Sequence, residues 1–461
     1  MSAAIKQITT VNREKMSSGD VKEIPTLGSC FSLCNLLSLK SNGRCFFYDL
    51  RHSQECSVFR LKLMEKTIFA CDSVSSQYVF DKEYVEKGNI LGFSGMSYNT
   101  RMVKDRKPSI FCNGEEHDIK KEDTMCVLKH RLENVTLAEM SKVVQEKFES
   151  IDLTKKDDFD FERAIDSIGF SYTSFVILGE VLPDVDAYRE WFGRCIHSNL
   201  KDKFLWLFTC GTDRRVAQKN LDIVNKTPTV QNIQEILPNL SKTDTVEGQS
   251  LELMHNLYFN GPPVLAEYFI SCIARFHDSL TDDERQAIIV EAEDFLKKDP
   301  TTYEAAFDKL DLIDSFVFEV LRMNPIHVCG SHGRARKDFI MESSTGKFKV
   351  YKGELITDFV FAMHRDPNVF DEPTKFKMTR DKQHVKEYLV PFGGPYLQKA
   401  TFTNSKCPGQ DLMVTAMKLF VIHMTKCTMD VKSDVTYTGK VASRGAGTDI
   451  PLVMNKFVYN K

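Results

Sequence analysis

The sequence predicts a mainly helical protein with a smaller β part, and three observations lead to this prediction. Apolar residues recur at helical spacing from about residue 136 to residue 324. Short strand-like segments occur before and after this region. No linker-like stretch divides the chain. We therefore expect a loose, polar N-terminal segment over residues 1–24 and a single domain over residues 25–461.

The strand-like segments lie on both sides of the helical region. Those before it cover residues 44–48, 57–61 and 67–71, and those after it cover 348–351, 355–361 and 429–460. We expect the strands from both ends of the chain to build the β part.

Helical spacing is clear where Leu137, Met140 and Val143 recur. Thr281 followed three residues later by Glu284 is a capping-box pattern, which predicts that a helix begins there.

The longest candidate helix covers residues 247–278 and contains Gly261-Pro262-Pro263 near its middle. A double proline is expected to kink or break a helix, because proline lacks the backbone N–H and its ring clashes with the preceding turn. A further helix is expected over residues 410–425.

Composition excludes several classes of protein. The formal net charge of −3 favours no nucleic-acid partner. The 13 cysteines include no Cys-x-x-Cys pair, which argues against an ordinary zinc site. The polar start carries no secretory signal, and no run of 18 apolar residues predicts a membrane span. Reduced thiols in the cytoplasm are the simplest interpretation.

Two short patterns carry chemistry. Glu319 and Arg322 are three residues apart on a predicted helix, so they share a face and can pair. Alone this would favour an ordinary surface ion pair. Cys407-Pro408-Gly409 precedes the helix predicted over residues 410–425. The N–H groups and the positive dipole end of a helix start stabilise a thiolate, and glycine lets the backbone pass close to a flat ligand.

The order of these motifs resembles the cytochrome P450 superfamily. The resemblance covers the chain from about residue 25 and is strongest over residues 314–414. It implies a P450 fold, a haem b cofactor with Cys407 as the axial thiolate, and a buried structural triad of Glu319, Arg322 and Arg380. A thiolate ligand pushes electron density onto the iron and favours O–O cleavage.

Two features depart from the monooxygenases of that superfamily. Phe392 lies 15 residues before Cys407, so the cysteine loop carries an insertion of about eight, and Ser405 stands where an arginine is expected. The long helix carries no acid–alcohol pair for proton delivery to dioxygen. Asn260 lies at that place, in Phe259-Asn260-Gly261.

Both departures resemble the fatty-acid hydroperoxide-metabolising clan, which contains allene oxide synthases, hydroperoxide lyases, divinyl ether synthases and epoxyalcohol synthases. Further segments are similar to that clan: the cysteine loop 403–411, residues 43–60, 85–87, 116–121, 352–354 and 362–370. The resemblance implies that Asn260 sits over the haem and contacts the hydroperoxide. A helix-interrupting Asn-Gly turn is the simpler interpretation of the same residue, and both can hold.

The resemblance also implies a mechanism. The hydroperoxide brings its own activated oxygen, its O–O bond breaks homolytically, and the alkoxyl radical closes onto a neighbouring double bond. The resulting carbon radical yields an allene oxide, an epoxyalcohol or two aldehydes, without dioxygen, NADPH or a reductase. In the clan an aliphatic residue in the substrate loop accompanies the last two outcomes. Leu91 aligns with that position and Phe93 follows it, so epoxyalcohol synthase or lyase is favoured.

The remaining expectations concern the ligand contacts. An apolar pocket would draw on Leu91, Phe93, Leu257, Phe259 and the loop 442–450. Lys121 and His117 are candidates for the haem propionates, although a surface role for Lys121 stays open, and Asn404, Lys406 and Gly409 would line the haem from the cysteine loop. A lipid substrate makes peripheral membrane contact an expectation as well. The alternatives are a monooxygenase that uses peroxide and a non-catalytic haem-binding protein.

Overall fold

The structure is a computed structural model that describes residues 21–29, 33–35, 37–38, 46–47, 49–51, 56–63, 65–88, 97–151, 161–197, 204–326, 331–433 and 452–460. Helices dominate these ranges and strands form a smaller part, as the sequence predicts.

The described helices are α1 Ser73–Phe80, α2 Gly114–Glu133, α3 Leu137–Ser150, α4 Phe161–Leu178, α5 Val185–Cys195, α6 Cys210–Val224, α7 Pro228–Gln231, α8 Ile233–Ile236, α9 Leu240–Thr243, α10 Val246–His255, α11 Pro262–Asp278, α12 Asp282–Leu296, α13 Tyr303–Phe307, α14 Asp311–Met323, α15 Val360–Met363, α16 Lys382–Tyr388 and α17 Gln410–Met424. Short 3-10 helices cover Thr100–Val103, Ser109–Phe111 and Pro300–Thr302. Among the helices of these ranges, none is long and apolar enough to cross a membrane.

The described strands are β1 Lys22–Glu23, β2 Thr26–Leu27, β3 Val58–Lys62, β4 Lys66–Ala70, β5 Val85–Lys87, β6 Ser97–Tyr98, β7 Ile196–His197, β8 His332–Ala335, β9 Phe339–Ser343, β10 Gly346–Val350, β11 Leu355–Asp358, β12 Cys427–Ser433 and β13 Leu452–Tyr459.

Capping and amphipathic spacing explain where two of the helices begin. Helix α3 starts after Thr136, whose side chain accepts from the Glu139 N–H, while the Glu139 carboxylate accepts from the Thr136 N–H. Helix α12 begins at the predicted position with the same reciprocal pair between Thr281 and Glu284. Each pair satisfies two backbone donors that a helix start otherwise leaves open.

The largest core cluster lies between α3, α4, α11, α12, α14 and α17. Phe269 of α11 stacks on Phe420 of α17 with ring centroids 4.0 Å apart. Both side chains are fully buried. Burying an aromatic side chain of this size contributes on the order of 2–3 kcal/mol. This contact holds the helix that contains the double proline against the helix that follows Cys407.

Strands from both ends of the chain share the main sheet, as predicted. Its order is β2-β3-β4-β11-β8-β5, with β11 parallel to β4 and antiparallel to β8. Arg60 of β3 pairs with Glu354 before β11 at 2.9 Å, and Arg51 pairs with Asp366 at 2.8 Å. These two ion pairs join segments about 300 residues apart in sequence, so they tie the two ends of the chain together.

Some elements differ from the sequence-based prediction. Phe46 and Phe47, predicted to lie in a strand, are helical, and Phe47 is buried against Phe69. An apolar pair fits a strand and a buried helical turn equally well, so the short pattern was ambiguous. The strand predicted over 355–361 ends at Asp358, and α15 begins at Val360.

Two regions extend ordered structure beyond the expected limits. Helices α1 and α2 precede residue 136, where the helical pattern was predicted to begin. At the end of the expected polar start, Lys22 and Glu23 pair with Phe348 and Lys349 of β10.

The long helix predicted over 247–278 is interrupted, as the double proline predicts. Helix α10 ends at His255, one turn of π-helix covers Asn256–Asn260, and α11 restarts at Pro262. Prolines at the first two positions of α11 lack the N–H groups that would continue the α10 ladder. A Cβ on Gly261 would lie 2.9 Å from the Leu257 carbonyl oxygen, so only glycine fits this restart without a shift.

Candidate functional site

The three residues of the predicted structural triad, Glu319, Arg322 and Arg380, contact one another. The Arg322 guanidinium donates to both carboxylate oxygens of Glu319 at 2.7 and 2.8 Å, and Arg380 Nε donates to Glu319 Oε1 at 3.2 Å. Glu319 and Arg322 are both buried. Arg322 also donates to the carbonyls of His364, Pro373 and Lys375. The pair is therefore a fully bonded buried ion pair that holds the segment before the cysteine loop, rather than a surface pair.

Cys407 lies at the start of α17, where the sequence predicts it. Its N–H donates to the Phe392 carbonyl at 2.9 Å, and its side chain is half-buried against the main core cluster. Burial raises the pKa of the thiol, while the Gly409 N–H and the charges of Lys406 and Lys121 act in the opposite direction. A sulfur with an N–H donor and two nearby ammonium groups suits a thiolate ligand.

The two ends of the inserted loop before Cys407 approach each other at Gly393. Gly393 has a φ of +71°, and a Cβ there would lie 2.7 Å from the Ser405 carbonyl oxygen. The outgoing and returning ends of the loop therefore touch at Gly393 and Ser405. Only a residue without a Cβ permits this approach in the left-handed region.

Three predicted cofactor residues, Lys121, Asn404 and Lys406, hold the loop in place. Lys121 Nζ of α2 donates to the carbonyls of Asn404 and Lys406, both at 2.6 Å, and to Asn404 Oδ1 at 3.1 Å. Lys406 Nζ donates to the carbonyls of Gly394 and Pro395 at 3.0 and 2.7 Å. Burial lowers the pKa of Lys121 to about 8 and that of Lys406 to about 7. Both amines thus bond to the loop backbone; whether either also meets a propionate stays a prediction.

Lys121→Met is expected to loosen this loop, because buried carbonyls left without a donor cost about 1–3 kcal/mol each. Haem retention should weaken by about 10- to 100-fold, as for other residues that support metal ligands. In the haem-free protein, proteolysis within residues 393–406 should become faster. Lys129→Met, on the same helix with its side chain 76% exposed, is the control. Equal proteolysis of both variants would contradict this role.

His117 lies one turn before Lys121 on the buried face of α2. Its Nδ1 is 2.8 Å from Asp118 Oδ1 and 3.1 Å from Lys82 Nζ. Burial, followed by the charge of Lys87, lowers its pKa to about 4. His117 is therefore neutral near pH 7 and would offer a propionate a hydrogen bond rather than a charge.

At the π turn, one face of the long helix is partly exposed. Between residues 248 and 269 every side chain is buried except Asn256, Phe259, Asn260 and Val264, which are partly exposed. Residues 256, 260 and 264 are spaced four apart and share one face. Single-turn π-helices occur often at functional sites. Asn260 thus sits on a partly accessible stripe within an otherwise buried helix.

Helix α2 contacts both the cysteine loop and the π turn. Lys121 bonds to the cysteine loop, and Thr124, three residues later on the same buried face, lies 3.5 Å from Asn256 Nδ2. Asn256 Oδ1 accepts from Asn260 Nδ2 at 3.1 Å. Sequence analysis missed Asn256 and Thr124. The available signal was a polar asparagine four residues before Asn260 in an apolar stretch.

The predicted pocket residues are only partly described. Phe259 is half-buried and packs its ring 4.9 Å from His255 and 5.4 Å from Tyr98. Leu257 is fully buried in the same cluster. Leu91, Phe93 and the loop 442–450 lie outside the described residues.

The comparisons with known proteins agree with this geometry. Residues 285–426 match the family model Cytochrome P450. A mutant heme domain of cytochrome P450DA has a similar structure, with a TM-score of 0.71, 14% identity, and 96% of this chain and 98% of that chain covered. Cytochrome P450SP alpha is similar with a TM-score of 0.62 at 14% identity over 91% of this chain and 98% of that chain. The structure therefore has the cytochrome P450 fold, and residues 285–426 match that family's model.

The chain is also similar to allene oxide synthases and to a fatty acid hydroperoxide lyase. It is 34% identical over 125 residues to an allene oxide synthase of Linum usitatissimum, covering 26% of this chain and 23% of that protein. It is 30% identical over 182 residues to a fatty acid hydroperoxide lyase of Solanum lycopersicum, covering 38% of each. An allene oxide synthase of Arabidopsis thaliana is 24% identical over 383 residues, covering 77% of this chain and 72% of that protein. The first two matches span well under half of those relatives.

Similarity to cytochrome P450 implies a haem, and the donor set at Cys407 fits one. A lone half-buried thiol with an N–H donor and two ammonium groups suits a single thiolate–iron bond. A Cβ on Gly409 would stand 3.8 Å from the Cys407 sulfur, an ordinary van der Waals contact, so Gly409 lies directly beside the sulfur. Cys407 and the other described cysteines are free thiols, so the Cys407 sulfur is not bonded to another cysteine.

Proposed function

We propose that the protein cleaves the O–O bond of polyunsaturated fatty acid hydroperoxides and rearranges them without dioxygen or NADPH. The observation that carries this proposal is the neutral amide of Asn260 on the accessible stripe of the interrupted helix. An amide can donate or accept a hydrogen bond but does not titrate near neutral pH, so it cannot relay protons. Reduction of dioxygen consumes protons and electrons, whereas isomerisation of a hydroperoxide consumes neither.

The residues of the site have distinct roles in this proposal. Cys407 would hold the iron of haem b, with the Gly409 N–H donating to the sulfur. When bound, the haem supplies homolytic cleavage of the substrate's own O–O bond. Asn260 binds and orients the hydroperoxide group through its side chain. Phe259, with Leu91 and Phe93, provides apolar surface for the acyl chain.

Similarity to both allene oxide synthases and hydroperoxide lyases supports this substrate class. The substrate class does not by itself determine which product forms. The aliphatic side chain at Leu91 favours epoxyalcohol formation or chain cleavage over allene oxide formation. No reductase is required in either case, since the substrate is both the oxidant and the species that is oxidised.

The test is to mix the purified haem-loaded protein with a polyunsaturated fatty acid hydroperoxide, without oxygen and without NADPH. Loss of the conjugated-diene absorbance is expected, and product analysis separates epoxyalcohol, aldehydes and allene oxide. The corresponding hydroxy fatty acid, which has no O–O bond, is the control and should persist. An unchanged hydroperoxide would reject the proposal, and turnover that requires NADPH and dioxygen would favour a monooxygenase.

Asn260→Ala is expected to lower kcat/KM for the hydroperoxide by about 100-fold, the size of effect seen when one positioned hydrogen-bonding group is removed from an active site. Haem content and the spectrum of the reduced carbon monoxide adduct should not change, because Asn260 is not an iron ligand. An active variant with normal kinetics would show that Asn260 only interrupts the helix.

A further inference from the structure

A chain of hydrogen bonds joins α2 to the π turn and ends on Asn260. Thr124 Oγ1 lies 3.0 Å from the Lys120 carbonyl oxygen within α2. Asn256 Nδ2 lies 3.5 Å from Thr124 Oγ1, and Asn260 Nδ2 lies 3.1 Å from Asn256 Oδ1. The chain therefore starts at a backbone carbonyl and crosses from one helix to the other.

The starting carbonyl fixes the direction of every bond in this chain. A carbonyl oxygen can only accept, so the Thr124 hydroxyl gives its single hydrogen to Lys120 and keeps its lone pairs for another donor. Asn256 then presents its NH₂ group to Thr124, which turns its oxygen towards Asn260. Asn260 in turn presents its NH₂ group to that oxygen. The remaining polar atom, Asn260 Oδ1, is an acceptor with no donor among the described residues.

We propose that Asn256 is a positioning residue that holds the amide of Asn260 with its oxygen towards the substrate. This inference rests on the proposed function, because it assigns the group that Asn260 offers to the hydroperoxide. A hydroperoxide carries an O–H donor on its terminal oxygen, and Asn260 Oδ1 accepts it. A rotated amide would present NH₂ instead, which cannot accept that hydrogen.

The local backbone makes this arrangement possible. Asn256 and Asn260 are the first and last residues of the π turn, four apart on the partly exposed stripe. An amide on such a stripe would otherwise rotate between two nearly equivalent orientations. The anchor on Thr124, which is buried, removes that freedom.

The first test measures recognition rather than turnover. A hydroxy fatty acid offers an O–H donor at the same carbon as the hydroperoxide, one oxygen nearer the chain, whereas the parent fatty acid offers none there. We expect the haem-loaded wild type to bind the hydroxy form more tightly, and Asn256→Leu to reduce this preference by about three- to tenfold, the worth of one hydrogen bond. In an Asn260→Ala background, Asn256→Leu should change the preference no further. An additive effect in the double variant would overturn the proposal.

The second test guards against a general structural effect at Asn256. Thr124→Val removes the hydroxyl with little change of shape and should also reduce the hydroxy preference and kcat for the hydroperoxide. Thr124→Ser keeps the hydroxyl and should restore both. If Val and Ser behave alike, the chain does not set the amide. If the wild type prefers the hydroxy form but consumes no hydroperoxide, the proposed function fails while the positioning role stands.

Discussion

Replacing Cys407 by alanine is expected to lower hydroperoxide turnover by about 1000-fold or more. Removing groups that merely support a metal ligand costs roughly 10- to 100-fold, and loss of the ligand itself should exceed that. The reduced carbon monoxide adduct should lose its thiolate-type spectrum, because the variant has no sulfur at the start of α17. The effect should be specific to the haem, since the Cys407 N–H bond to Phe392 survives the substitution.

Cys427→Ala is the matched control for this prediction. Cys427 is also a half-buried free thiol, and it begins β12 rather than a helix. We expect it to retain the thiolate-type spectrum and most of the turnover. A thiolate-type spectrum in Cys407→Ala would identify another cysteine as the ligand.

Replacing Glu319 by alanine is expected to lower the free energy of unfolding by about 3–5 kcal/mol, the cost of leaving a buried charge without its partner. The fully buried guanidinium of Arg322 would keep its carbonyl acceptors but lose both carboxylate oxygens. The Lys377 N–H and Arg380 Nε would lose the same acceptor. Urea unfolding followed by circular dichroism measures the change.

An exposed ion pair of similar geometry provides the comparison. Arg163 and Asp186 meet at 2.8 Å with side chains 51% and 62% exposed. Asp186→Ala should therefore cost about 1 kcal/mol or less, because water screens such pairs. Adding Arg322→Leu to Glu319→Ala should recover part of the lost stability, since it removes the unpaired charge. If Glu319→Ala and Asp186→Ala lower the free energy of unfolding equally, the buried pair has no special structural role.

Local rules predicted much of the fold. The capping box at Thr281 predicts one helix start, and the double proline predicts the break in the long helix. The break takes the form of a π turn, which a proline rule does not specify. Phe46 and Phe47 were assigned wrongly because their burial depends on partners distant in sequence.

The candidate site was predictable only in part, for a similar reason. Cys407 stands out because it precedes a predicted helix start, where the N–H groups and the helix dipole stabilise a thiolate. The bonds from Lys121 to the loop depend on tertiary contact, so the lysine alone suggested only a positive charge. The orientation of Asn260 depends on Thr124 in another helix, and no spacing rule within one helix reveals it.

The bonds made by Lys121 have a consequence for synthesis of the chain. Its acceptors at Asn404 and Lys406 lie 283 and 285 residues further along. At roughly 5–20 residues per second, the ribosome synthesises these acceptors about 15–60 s after α2. During that interval the amine and the buried face of α2 have no native partners in the loop. The nascent protein therefore reaches a haem-competent state only late in translation, and chaperones that shield the face around Lys121 should raise the yield of active protein.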